Sequence, residues 1–176
     1  SDDVSILIGN GLGGFSVAAN FGAGTGPVSL VVGDFNGDGK QDLGVANQGS
    51  SSISILSGDG SGGFSAAANF GVGGTLYSVA VGDFNGDGKQ DLAVANYSSN
   101  TVSLLAGDGL GNLAPVVNFG VGLQPISVAV GDFNGDGKQD LATANRNSAD
   151  VSILFGDGAG NFSPAVNFGT GPIPFA

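Results

Sequence analysis

The residues best equipped for chemistry in this chain are aspartates, and they come in groups. Asp34, Asn36, Asp38 and Asp42 fall within one nine-residue stretch, Asp-Phe-Asn-Gly-Asp-Gly-Lys-Gln-Asp. The stretch returns with Asp83, Asn85, Asp87 and Asp91, and again with Asp132, Asn134, Asp136 and Asp140. Side-chain oxygens thus stand at the first, third, fifth and ninth positions. The seventh, occupied by Lys40, Lys89 or Lys138, offers a backbone carbonyl, and a Gly before it permits a sharp turn. Oxygen donors at alternate positions of a coiled loop wrap a hard cation. Calcium suits such a set better than magnesium, which demands a smaller, octahedral, more hydrated shell. Three calcium sites are expected.

The loop departs from a helix–loop–helix calcium site. Its twelfth position is Val45, Val94 or Thr143, where that motif needs a bidentate Glu. The competing reading is an ordinary Asn-Gly or Asp-Gly turn that binds nothing. Three carboxylates so close together, three times over, would repel one another without a cation. A second set of acids, Asp59, Asp108 and Asp157, sits singly in Gly-Asp-Gly triplets. One carboxylate is not a site, and these read as turn residues bonding their own backbone.

The rest of the composition narrows the function classes. All 15 acidic residues are Asp, only Lys40, Lys89, Lys138 and Arg146 are basic, and the net charge is −11. That charge opposes nucleic acid and anionic membranes as partners. With no Cys there are no disulfides, thiolate metal sites or cysteine nucleophiles. General acid–base work needs tuned His, Glu, Lys or paired Asp. His and Glu are absent, and the repeat accounts for nearly every Asp, so the chain is not expected to be an enzyme by itself. Arg146, between Asn145 and Asn147, reads as a solvated loop residue. No apolar run approaches the roughly 18 residues of a membrane span. The chain starts at Ser1 and reads as a processed or excised piece of a longer product.

The elements that must position the loops follow from an internal period. Gly-Asp-Phe-Asn-Gly-Asp-Gly-Lys-Gln-Asp-Leu begins at Gly33, Gly82 and Gly131, a spacing of 49 residues. The Gly-Asp-Gly triplets keep that spacing, with Asn10 as a degenerate first copy, and Asn-Phe-Gly recurs at Phe21, Phe70, Phe119 and Phe168. Each unit reads as four short strands, such as Tyr77–Phe84, Asp91–Asn96, Thr101–Ala106 and Leu113–Phe119, separated by Gly, Asn, Asp and Ser. Gly, at 35 of 176 residues, supplies the turns. A four-stranded unit of this length is a propeller blade, buried on both faces by its neighbours. A parallel solenoid competes, but its coils are shorter and Asn-Gly-Asp-Gly hairpins do not suit it. The predicted fold is all-β: four-stranded antiparallel blades forming about three and a half blades of an incomplete propeller. Residues 1–27 give a half blade of two outer strands, followed by blades at 28–76, 77–125 and 126–176.

The Asp-Phe-Asn-Gly-Asp-Gly-Lys-Gln-Asp-Leu loop, the Ala-Val-Ala-Asn that follows and the Phe-Gly before the next copy resemble the FG-GAP/VCBS repeats. These are similar to the calcium-bearing blades of integrin α-subunit propellers and are widespread in bacterial surface and secreted proteins. The resemblance covers essentially the whole chain. It implies that Asp34, Asn36, Asp38, the Lys40 carbonyl and Asp42, with their copies, ligate calcium, and that the loop joins the first two strands of a blade. The family's Gly-Ala-Pro after the second strand is replaced by Ala46-Asn47, Ala95-Asn96 and Ala144-Asn145, so no integrin-type ligand function carries over. Propellers of this kind close with about seven blades.

The expectation is an extracellular, calcium-stabilised structural or adhesive protein whose open blade edges assemble with copies of itself into a ring or fibre, or with adjoining blades of a longer chain. A carbohydrate-binding module is the alternative. Trp is absent, however, and Tyr77 and Tyr97 do not recur in each repeat.

Overall fold

The computed structural model describes residues 1–171, so the last five residues of the 126–176 unit lie outside the described residues. Among the described residues it contains fourteen strands and no helix. β1 (Asp3–Ile6) and β2 (Ala19–Gly22) pair as a two-stranded sheet. The first four-stranded sheet is β3 (Pro27–Gly33), β4 (Asp42–Asn47), β5 (Ser52–Leu56) and β6 (Ala68–Gly71). The second is β7 (Leu76–Gly82), β8 (Asp91–Asn96), β9 (Thr101–Leu105) and β10 (Val117–Gly120). The third is β11 (Pro125–Gly131), β12 (Asp140–Asn145), β13 (Asp150–Leu154) and β14 (Val166–Gly169). Every pairing is antiparallel and sequential, from inner to outer strand. These are meandering blades rather than parallel coils, and the sheets do not close into a ring.

Blade-to-blade packing explains the apolar pattern. β8 is buried from end to end because its two faces meet different neighbours. Leu92 and Val94 turn toward the first blade, in one core with Phe35, Ile53, Ile55 and Val79. Ala93 and Ala95 turn toward the third, in another core with Val128, Leu141 and Leu154. The third core joins Val4 to Leu43, Val45 and Leu56, so the two-stranded sheet sits as the outer half of a preceding blade. β3 lies beside β7 and β7 beside β11, which brings the innermost strands together near the axis. There Ser29 Oγ accepts the Val79 amide and Ser78 Oγ accepts the Val128 amide, both at 3.3 Å.

One strand is shorter than its sequence suggests. Leu113 makes only an isolated bridge to Gly107, and regular pairing resumes at Val117. The same gap follows Phe64 in the first blade, where no Pro intervenes, so the break belongs to the repeat itself.

Candidate metal centre

Each acidic loop joins the first and second strands of its blade: residues 34–41 link β3 to β4, and the copies link β7 to β8 and β11 to β12. Gly37 and Gly39 take φ of +73° and +80°, which turns the loop back on itself without a side-chain clash. The coil points backbone amides at the carboxylates. Asp34 Oδ1 accepts from Gly37 and Asp38, and Oδ2 accepts from Gly39, at 2.8–3.2 Å. Asn36 Oδ1 accepts the Asp38 amide at 2.9 Å, and Asp38 Oδ1 the Lys40 amide at 2.9 Å. The loops at Asp83 and Asp132 repeat these bonds. The Lys40, Lys89 and Lys138 ammonium groups lie 3.4, 3.4 and 3.9 Å from Asp38, Asp87 and Asp136. These pairs are exposed and contribute little to stability.

The ninth-position aspartates differ from the rest. Asp42, Asp91 and Asp140 are fully buried. Asp42 Oδ2 accepts the Phe35 amide at 2.9 Å and Oδ1 the Gly58 amide at 2.8 Å, so one carboxylate ties the loop to the turn after β5. Asp91 does the same for Phe84 and Gly107, and Asp140 for Phe133 and Gly156.

The electrostatics reflect both environments. Hydrogen bonding, first from the Lys40 and Lys89 amides, holds Asp38 and Asp87 below the ordinary carboxylate range. The Gly137 amide is the chief cause of the same shift at Asp132. Asp91 is pushed up, chiefly by burial, against the pull of the Gly107 and Phe84 amides. The charges of Asp87 and Asp83 add to that upward push, so the loop carboxylates are near enough to repel.

The donor set fits a hard cation in kind: carboxylate, amide and carbonyl oxygens with no competing nitrogen or sulfur. Among the described residues no three acidic side chains already converge closely enough to hold a metal. The first, third and fifth side chains are half-buried or exposed, and each is held by amides of its own loop. The ninth is locked.

The single aspartates are turn residues. Asp59 Oδ1 accepts the Ser61 and Gly63 amides, Asp108 Oδ1 those of Leu110 and Asn112, and Asp157 Oδ1 those of Ala159 and Asn161. Asn10 does likewise with Leu12 and Gly14. The loop these residues brace has a further role that the sequence pattern did not reveal. The Gly111 amide donates to the Phe35 carbonyl of the preceding blade and Gly160 to that of Phe84, both at 2.9 Å. The first and second acidic loops are therefore each flanked by the next blade's Gly-Asp-Gly loop.

Comparison with known families gives matches to the FG-GAP-like repeat at residues 1–45, 34–94 and 83–143, and to the FG-GAP repeat at 125–162. The chain belongs to the FG-GAP-like repeat family. Among solved structures, this FG-GAP-like chain is similar to an Agrocybe aegerita lectin described as recognising non-reducing terminal N-acetylglucosamine. The match has 21% identity and a TM-score of 0.61, and covers 94% of this chain and 46% of the lectin. Weaker likenesses are to BBS1N in complex with ARL6DN (14% identity, TM-score 0.45, 86% of this chain and 57% of the other) and to the Photorhabdus luminescens Tc holotoxin pore (14% identity, TM-score 0.40, 96% and 11%). No curated protein matches the sequence. The FG-GAP-like chain thus spans about half the length of the lectin, and the likeness is one of fold.

Proposed function

We propose that this chain is a non-enzymatic, calcium-stabilised scaffold of an extracellular surface, built to display or join other components through its blades. The observation that supports the reading is the triplicated acidic loop, placed each time between the first two strands of a blade. Asp34, Asn36 and Asp38 with the Lys40 carbonyl, and their copies, would hold the ion, and Asp42, Asp91 and Asp140 would fix the loop's base. A bound cation supplies the countercharge that the loop carboxylates lack. Binding to the folded state alone stabilises it by about 2.7 kcal/mol per site at a hundredfold excess over Kd. Millimolar calcium outside cells would fill even weak sites of this class.

Calorimetric titration of the metal-free chain tests the reading. Three calcium ions per chain, with a melting temperature that drops on chelation, support it. No calcium binding and an unchanged melt in EDTA would falsify it.

A second reading, carbohydrate binding, draws on the fold likeness to the N-acetylglucosamine lectin and on one stacked aromatic pair, Tyr77 and Tyr97, with ring centres 4.8 Å apart. Titration with terminal N-acetylglucosamine tests it. Saturable binding that a Tyr97→Ala variant loses favours this reading, and no binding disposes of it.

A further inference from the structure

The carboxylate oxygens of each acidic loop are taken by the backbone, with one exception. In the first loop, both oxygens of Asp34, both of Asp42 and Oδ1 of Asp38 accept main-chain amides. Among the described residues no amide reaches Asp38 Oδ2, and the Lys40 ammonium stands 3.4 Å from it instead. The second loop engages its oxygens in the same way and leaves Asp87 Oδ2 to Lys89 at 3.4 Å. The third leaves Asp136 Oδ2 to Lys138 at 3.9 Å. The pairing is thus the same at the two loops that donate a carbonyl to a neighbouring blade and at the third.

Each ammonium is aimed by its stem. Gly60, Gly109 and Gly158 follow the single turn aspartates with φ of +79°, +71° and +71°. A side-chain carbon there would crowd the Cδ of Lys40, Lys89 and Lys138 at 3.2, 3.0 and 3.3 Å. The lysine therefore lies across a turn of its own blade, where a glycine leaves room for it. Its charge is felt on that turn too. Asp59 is held below the ordinary carboxylate range chiefly by the Ser61 amide, and the Lys40 charge adds to the effect. Three of the four basic residues of the chain stand in this one position.

A hard cation and an ammonium seek the same atom. A cation entering the loop draws on carboxylate oxygens, and the oxygen that no amide already holds is the one the lysine covers. We propose that Lys40, Lys89 and Lys138 are tethered competitors for calcium, each seated on its loop's amide-free carboxylate oxygen until the ion displaces it. This inference rests on the calcium reading above and names the residues that weaken the sites. The consequence is a threshold. The loops keep a monovalent partner while calcium is scarce, and they exchange it for the ion only where calcium is abundant.

The test compares the full wild-type chain with two triple variants. One carries Lys40→Gln, Lys89→Gln and Lys138→Gln, which removes the charges. The other carries Lys40→Arg, Lys89→Arg and Lys138→Arg, which keeps them. The lysine side chains are 45% exposed, so both variants should fold, and circular dichroism in EDTA verifies it. In calorimetric titrations the Gln variant should bind three calcium ions about fivefold more tightly than the wild type at low ionic strength. Added salt should narrow the gap, and the Arg variant should stay near the wild type. A metal-free readout follows the amines themselves. In EDTA, Asp87→Asn should speed acylation of Lys89 and leave Lys40 and Lys138 unchanged, as read by mass spectrometry. A crystal structure with calcium should show each ammonium beyond the roughly 4 Å of an ion pair from its aspartate.

Calcium binding that the Gln variant leaves unchanged overturns the competition and spares the calcium reading. So does a calcium-loaded structure in which the ammonium groups keep their places, or Lys89 acylation that Asp87→Asn does not alter. A wild type and a Gln variant that both fail to bind calcium remove the two readings together.

Discussion

The Gly160 amide donates to the carbonyl of Phe84 at 2.9 Å, and that bond makes the acidic loop of one blade part of its seam with the next. Whatever orders the loop orders the seam. A cation on Asp83, Asn85 and Asp87 would hold Phe84 in place between them, along with the acceptor that Gly160 uses. Calcium should therefore slow hydrogen exchange at Gly111 and Gly160, the amides donated across the seams, as well as at the loop amides. Exchange followed by mass spectrometry with and without EDTA checks this. Protection confined to residues 83–91 and absent at Gly160 would uncouple the seam from the loop.

The fifth and ninth aspartates of a loop should fail in different ways. Asp87 is exposed and bonds one backbone amide and Lys89. Asp87→Ala should remove one calcium ion of three while leaving the metal-free melting temperature nearly unchanged. Asp91 is buried and satisfies two amides from different turns. Asp91→Ala strands both, at about 1–3 kcal/mol each, and should lower the melting temperature even in EDTA. Calorimetry and thermal melts on the two variants separate the roles. Equal effects of both variants in EDTA would count against the division.

Much of this division was hidden in the sequence, where Asp34, Asp38 and Asp42 look alike. The period of 49 and the turn residues were enough to give the blades, because each strand is short, bounded by Gly or Asn, and repeated three times. The half blade at the start was legible too, since Asp3-Val-Ser-Ile matches Asp150-Val-Ser-Ile, an outer strand. What the pattern could not give is direction. Whether a carboxylate faces a neighbouring carboxylate or a backbone amide depends on loop torsions, and no residue spacing encodes them. The seam contacts were hidden for a related reason. Gly111 and Phe35 are 76 residues apart, and only the stacking of one blade on another brings them together.

The single turn aspartates should leave a signature in acid. Asp108 and Asp157 are held below the ordinary carboxylate value of 3.8, chiefly by the side-chain amides of Asn112 and Asn161 and then by backbone amides. A carboxyl group whose folded pKa is depressed contributes stability above its unfolded pKa. That stability is lost as pH falls through the folded value. The melting temperature measured in EDTA should therefore decline as pH drops below 3.8. An Asp108→Asn, Asp157→Asn double variant should decline less steeply. Parallel curves for the two proteins would remove these turns as a source of acid sensitivity.

The glycine that opens each acidic motif marks which blade faces have a neighbour. A methyl group at Gly82 would run into the Gln139 side-chain oxygen of the third blade, which is buried there, and would lie about 3 Å from the Phe84 ring. Gly33 meets Gln90 in the same way. Gly131 ends the innermost strand of the third blade, and a methyl there would meet only the ring of Phe133, which is half exposed and able to swing away. Overpacking a closed seam costs roughly 1–3 kcal/mol. Gly82→Ala should therefore lower the melting temperature by several degrees in a domain of this size. Gly131→Ala should be close to neutral. Thermal melts of both variants measure the difference. A Gly131→Ala penalty as large as that of Gly82→Ala in dilute solution would show that the third blade is already covered within its own chain.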